Sequence, residues 1–454
     1  MRRSWTTITV LLAVLALLGA ATPASSAPQR PLGPDQRLDR LVQRLQATAS
    51  GQPAAATLDN FKLVGHSGLD GFGDYGDLFA HGSFAYVGSR CGAQRQGGDG
   101  VQVVDISNPR HPQVVSTLPN PPFTRAEDVT VRDMHTSSFT GALAVVGIQA
   151  CFGSGHEAEV VPGLRFFDVT HPAQPRLLAH WDLPQGTIGC HEIDAVQRGD
   201  GQVLAVCARN LIDHLNTGGA VAIHIIDATN PAAPQAITNW SLGLDPQGGL
   251  GCLPFQFAHS ARFADGGSSL YVSYWDAGTV HLDIATPTAP AVVSDTKIVP
   301  PDEDGDNHSM TLARGGRWLV INPEDFSPSD CPGEPGLDGW GEAYVYDNSD
   351  PQHPAFLGTF STPDSRSTRS DGSFTVHNTE VTGGDQFFSS WYSDGVVWWT
   401  MNDQGVSRQL GQFVPPGSPP LVWGVFIDSA HDLILASDIT SGLWIVRPKG
   451  LANF

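Results

Sequence analysis

Residues 100–115 read GVQVVDISNPRHPQVV: an apolar run ending in Asp, a turn built on Pro, then a second strand-like run. The same text returns as GLRFFDVTHPAQPRLL (163–178), VAIHIIDATNPAAPQAI (221–237), GTVHLDIATPTAPAVV (278–293) and EAYVYDNSDPQHPAFLG (342–358). A degenerate copy, GVVWWTMNDQGVSRQLG (395–411), and a truncated one, GLWIVRP (442–448), follow. Upstream of each copy lies another hairpin, such as HSARFADGGSSLYVSYW (259–275) or HNTEVTGGDQFFSSWYS (377–393). Four strands per unit, repeating every roughly 45–70 residues, mark propeller blades with loop insertions. Seven inner hairpins start near Gly76, Glu127, His191, His259, His308, His377 and Trp423. The last unit stops after its third strand, at Arg447-Pro448, and Phe61–Gly65 resembles the missing fourth. The expectation is an all-β fold: a seven-bladed β-propeller over residues 57–454, closed by an N-terminal strand that leaves no open edge.

The strand text VQVVDISNP and its copies resemble the LVIVD-repeat family, named for that apolar run ending in Asp. The C-terminal WGVFIDSAHDLILASDITSGLWIVRP is similar to the closing blade of the family's exported members, so the resemblance spans roughly residues 60–448. It implies the propeller fold and leaves the activity open. The sixth copy departs from it, with Met401-Asn402 in place of the expected Asp. Asp105, Asp168, Asp227, Asp283 and Asp347 each precede a Pro-containing turn, where an Asp side chain can accept from backbone N–H groups. They are read as structural.

The N-terminus is different in kind. Arg2-Arg3, the apolar run Ile8–Leu18 and the small residues of 20–27 read as a signal peptide, residues 1–24. Residues 25–56 read as a tether with a short helix, Leu38, Leu41, Val42 and Leu45 falling at helical spacing. A tether that supplies no blade should be removable at little cost. A net charge of −21 excludes nucleic acid as a partner and repels anionic lipid surfaces, and no later run is apolar enough for membrane insertion. The mature protein is expected to be secreted and monomeric. Six Cys in an exported chain imply three disulfides: Cys91–Cys151, Cys190–Cys207 and, by elimination, Cys252–Cys331.

The residues with chemical potential lie at the starts of the inner strands. Four consecutive blades begin there with His191, His259, His308 and His377, and Glu127 holds the same register. Strand starts converge around one mouth of a propeller's channel, so the four imidazoles are expected to meet. Imidazole suits Fe, Cu and Zn, which makes a divalent transition metal the expected cofactor, with Glu127 as ligand or orienter. The competing reading is a polar ring that lines the channel. The arrangement resembles that of carotenoid-cleaving oxygenases, which hold iron on four inner-strand His, and of the His-rich selenium-binding proteins. The run Asp302, Glu303, Asp304, Gly305, Asp306 offers oxygen ligands for Ca²⁺ but lacks the spacing of an EF-hand, so a solvated acidic loop is its first reading.

Long loops (151–162, 208–219 and 322–341) emerge on the same face and carry His156, Glu157, Glu159, His214, Glu324, Asp325 and Asp330. Trp275, Trp391, Tyr392 and Trp423 crowd that rim and are read first as inter-blade packing. Neither a G-x-S-x-G elbow, an H-E-x-x-H helix nor a phosphate-cradling Gly loop is present. Two functions follow from this: a metal site with oxidoreductase potential acting on a small molecule, or a non-catalytic module that binds an extracellular protein or glycan.

Overall fold

The computed structural model describes Leu38, Val42 and residues 55–452, apart from 72, 93–95, 244–255, 299–304, 326–339, 368, 370 and 418. Seven antiparallel sheets follow one another along the chain as the seven blades of a β-propeller. Blade one comprises Tyr75–His81, Phe84–Ser89, Val101–Asp105 and Gln113–Leu118 in spatial order. Blades two to seven open their inner strands at Val129, Cys190, Ser260, Asn307, Thr379 and Val422. In blade seven the outer strand is Phe61–Ser67, which pairs with Gly442–Pro448 in antiparallel register, Lys62 opposite Arg447. Just before it, Thr57–Asp59 adds a fifth strand to blade six by pairing with Ser407–Val414.

Alternating Val, Ile, Leu and Phe give each sheet two apolar faces, so adjacent blades bury them against each other. Seven of the eight apolar clusters lie along the seven seams between neighbouring blades. Leu433, Leu435, Leu443 and Ile445 of blade seven pack on Tyr75, Leu78, Ala85 and Val87 of blade one in the last of these seams. Phe61 is buried in the seam between blades six and seven, whereas Leu63 faces solvent.

The repeat Asp residues do what a turn requires. In each intact copy the N–H two residues on donates to the Asp Oδ1, at 2.8–3.0 Å. Asn402 makes the same contact to Gln404 at 3.0 Å, so the sixth copy keeps the turn with a different side chain. The Cys91–Cys151 and Cys190–Cys207 disulfides are both present, with Cα atoms 5.6 and 5.1 Å apart. Cys252 and Cys331 lie outside the described residues, as do residues 1–24, the expected signal peptide. No helix among the described residues is long and apolar enough to cross a membrane.

Candidate metal centre

One recurrent distortion aims the side chains of the channel. In blade five the ladder runs from Asn307–Pro323 to Ser309–Asn322, so His308 is an extra residue with no partner. Trp423 is extra in the same way in blade seven, and blades one and three carry two residues, Gly76-Asp77 and His191-Glu192, opposite one. Such β-bulges break the in–out alternation and re-aim side chains. In blades one, three, five and seven they re-aim the first residues of the inner strand, whereas His259 and His377 stand just before Ser260–Ala264 and Thr379–Val381, which carry no bulge.

The four His form a continuous arc. Ring centroids are 4.2 Å apart for His191–His259, 4.1 Å for His259–His308 and 4.0 Å for His308–His377, and Trp423 continues the arc at 4.4 Å from His377. All four His are essentially inaccessible to solvent. Two carboxylates complete the layer. Glu192 Oε1 lies 3.7 Å from His259 Nδ1 and 3.5 Å from His308 Nε2. Glu324 Oε2 lies 3.8 Å from His308 Nε2, and its Oε1 lies 3.6 Å from His377 Nε2. Two overlapping three-residue sets result, Glu192/His259/His308 and His308/Glu324/His377, each with its donor atoms within 4.8 Å of one another. Two ligands bonded at 2.0–2.1 Å in a tetrahedral site stand about 3.4 Å apart, close to the spacings here.

His191 and Glu127 hold other positions. His191 Nε2 shares a 2.8 Å hydrogen bond with His259 Nε2, and its Nδ1 lies 3.2 Å from Gln149 Oε1. Glu127 is paired with Arg125 at 2.9 Å and reaches His191 Nδ1 only at 3.9 Å. His191 thus backs His259, and Glu127 stands behind His191 against Arg125.

The electrostatics favour neutral imidazole. Burial first, and then the neighbouring His, hold His259, His308 and His377 well below the usual imidazole range. The backbone of the next residue in the arc opposes this weakly, without hydrogen-bond geometry. Both ring nitrogens of His308 and His377 lack a hydrogen-bond partner among the described residues. Burial, then the charge of Glu324, pushes the Tyr392 phenol well up, so it stays protonated and donates to Glu324 Oε1.

Of the expected rim aromatics, Trp391 is packing: its Nε1 donates to Phe374 O at 2.7 Å inside the seam of blades five and six. Trp275 and Tyr392 instead stand against the arc, 5.0 Å from His259 and 5.4 Å from His377. Both occupy positive φ, +30° and +39°, and bridge to the inner strand of the next blade at Asn307 and Val422. Non-glycine residues held there cost of order 1–3 kcal/mol, the kind of strain that collects at functional sites. His214 lies elsewhere, bonded to Val221 O at 2.9 Å, and the His156–Glu159 pair is on the surface. Asp306 is buried and its N–H donates to Asp276 Oδ1 at 2.9 Å; Asp302, Asp304 and Asp330 lie outside the described residues.

The next residues along the inner strands line a second layer. Arg262 Nη2 approaches Glu192 Oε2 at 3.5 Å, and Asp77, Asp128, Asp194 and Glu380 face the same guanidinium. Asp77 Oδ1 accepts from Leu78 N–H, Asp128 from Ile193 N–H and Asp194 from Ala195 N–H, at 2.7–2.8 Å. Burial, reinforced by Asp128, pushes Asp77 up to about 8. This layer opens into a cavity of about 370 Å³.

Residues 72–118 match the LVIVD repeat, a β-propeller repeat family. No curated protein matches the chain in sequence. Many solved structures match its architecture, among them two lactonase-named ones. A protein assigned as a 6-phosphogluconolactonase of Bacteroides uniformis is 12% identical over 75% of this chain and 87% of its own, with a TM-score of 0.51. The periplasmic gluconolactonase of Pseudomonas aeruginosa is 10% identical over 75% of this chain and 85% of its own, with a TM-score of 0.52. At such identities the likeness is one of fold.

Proposed function

We propose that the chain is an exported metalloprotein that holds a divalent transition metal, Fe, Cu or Zn, at the His-lined mouth of its channel. His308 is the central ligand, with His259 and Glu192 on one side of it and His377 and Glu324 on the other. The observation that carries this reading is the pair His308 and His377, buried, with neutral rings and four nitrogens that bond to nothing among the described residues. Leaving buried polar atoms unpaired costs about 1–3 kcal/mol each, and a metal would remove that cost at one nitrogen of each ring. Donors of mixed imidazole and carboxylate type suit Fe, Cu or Zn better than Ca²⁺ or Mg²⁺.

Such a centre, flanked by Trp275, Tyr392 and Trp423, fits oxidoreductase or Lewis-acid chemistry on a small molecule. The aromatic border keeps the dielectric low, which strengthens a metal's pull on a bound group. The two disulfides fit an oxidising compartment outside the cytoplasm.

Elemental analysis of protein purified without a His tag tests the proposal. It expects at least one equivalent of a single transition metal per chain, lost when His308 and His377 are replaced together. Trace metal that is unchanged by that replacement would leave a non-catalytic binding module as the reading.

A further inference from the structure

Seven apolar clusters hold the blades together; the eighth lies across the mouth. It gathers Leu211, Phe257, Trp275, Tyr392, Leu421, Trp423 and Ile439, from blades three, four, six and seven, and two residues from far upstream, Leu38 and Val42. Both upstream residues are in helical backbone, four positions apart and therefore on one face. They are buried to 1% and 6% relative exposure. Trp275, Tyr392 and Trp423, which they pack against, are the residues that border His259 and His377. An apolar plug thus sits on the buried His arc. It serves no seam among the described residues, and Leu38 and Val42 lie in no blade strand.

We infer that Leu38 and Val42 are a stopper on the His-lined mouth, and that a solute of small-molecule size reaches the His arc from that face only when these two side chains are displaced. The inference rests on the arc being the functional end of the channel, but its test does not need a metal. Two aliphatic side chains make a reversible contact, which suits a gate better than a structural element.

Diethyl pyrocarbonate acylates accessible neutral imidazoles, and peptide mapping reads each His separately. In the full chain stripped of metal with a chelator, so that ligation cannot protect the rings, His308 and His377 are expected to react at least tenfold more slowly than exposed His353. In the L38D/V42D double variant their rates are expected to rise at least tenfold, while buried His214 stays slow and reports that the fold is intact. Should His214 speed up in parallel, the milder L38A/V42A pair carries the test, with at least a threefold rise expected at His308 and His377 alone. Unchanged rates at both residues in the variant that stays folded would overturn the stopper. A metal-free protein in elemental analysis would remove the proposed function and leave this result standing.

Discussion

Successive residues of the same inner strands build the two ends of the channel, and they solve the problem of buried polarity in opposite ways. At the acidic end each Asp is anchored to a backbone N–H, and Arg262 stands among the carboxylates. Little there is left over for a ligand. At the other end His308 and His377 have no hydrogen-bond partner among the described residues, and an apolar cluster closes over them. Paired polarity of the first kind holds blades in register; unpaired polarity of the second kind is maintained at a cost in stability and points to function. Glu192 belongs to both, touching Arg262 at one end and His259 and His308 at the other.

The comparison breaks altogether if the ring itself does not depend on Phe61–Ser67. A chain that begins after His66 loses the outer strand of blade seven and the buried Phe61 ring, worth about 3–5 kcal/mol by itself. Loss of cooperative urea unfolding is expected. A truncated chain with an unchanged midpoint would mean that the seams alone hold both ends.

Next in size is the contrast between single substitutions. His308→Phe keeps a ring and removes both nitrogens, so metal affinity is expected to fall at least a thousandfold, about 4 kcal/mol. Metal-free stability should hold or rise, by about 1–3 kcal/mol, because two buried nitrogens without partners among the described residues are removed. Arg262→Met should do the reverse and cost about 3 kcal/mol in the metal-free protein, since several carboxylates lose their common partner. Competition titration with a chelator and urea melts of both variants read the pattern. Equal destabilisation by the two would erase the distinction.

The two ends also predict opposite responses to pH. His259, His308 and His377 titrate lower folded than unfolded, so their contribution is complete above about 6.5 and is lost as pH falls below it. Asp77, raised to about 8, contributes below its unfolded value near 3.8 and loses that contribution as pH rises through 8. Each proton taken up or released changes stability by about 1.4 kcal/mol per pH unit. Melting temperature against pH should therefore lose part of its fall below about 6.5 in His308→Phe, and part of its fall from about 4 up to about 8 in Asp77→Asn. A variant that flattens the wrong limb would show that the groups are misassigned.

Smallest is the effect of Asp227→Ala, which removes one turn contact, 2.8 Å to Thr229 N–H. It is expected to cost about 1 kcal/mol and to leave metal binding and pH response alone. A change in either would couple the repeat turns to the channel.

The repeat carried most of the fold. Its apolar strand, terminal Asp and Pro turn recur often enough to count blades, and the His arc was legible because the repeat put four His in one register. Glu192 was not legible. Beside His191 in an alternating strand it should point away, and only the bulge, where two residues face one, turns both into the channel. Glu324 stood in the sequence merely as one acid of a long loop, until blade geometry brought its carboxylate between His308 and His377.

The stretch read as a tether divides in a similar way. The spacing of Leu38 and Val42 was plain, but their partners lie more than 160 residues away. Local periodicity determines which residues are apolar on one face, because side-chain direction follows backbone geometry within a few residues. What that face covers depends on long-range packing, as does which of two neighbouring polar residues goes unpaired. Those are decided only when seven blades close around a common axis.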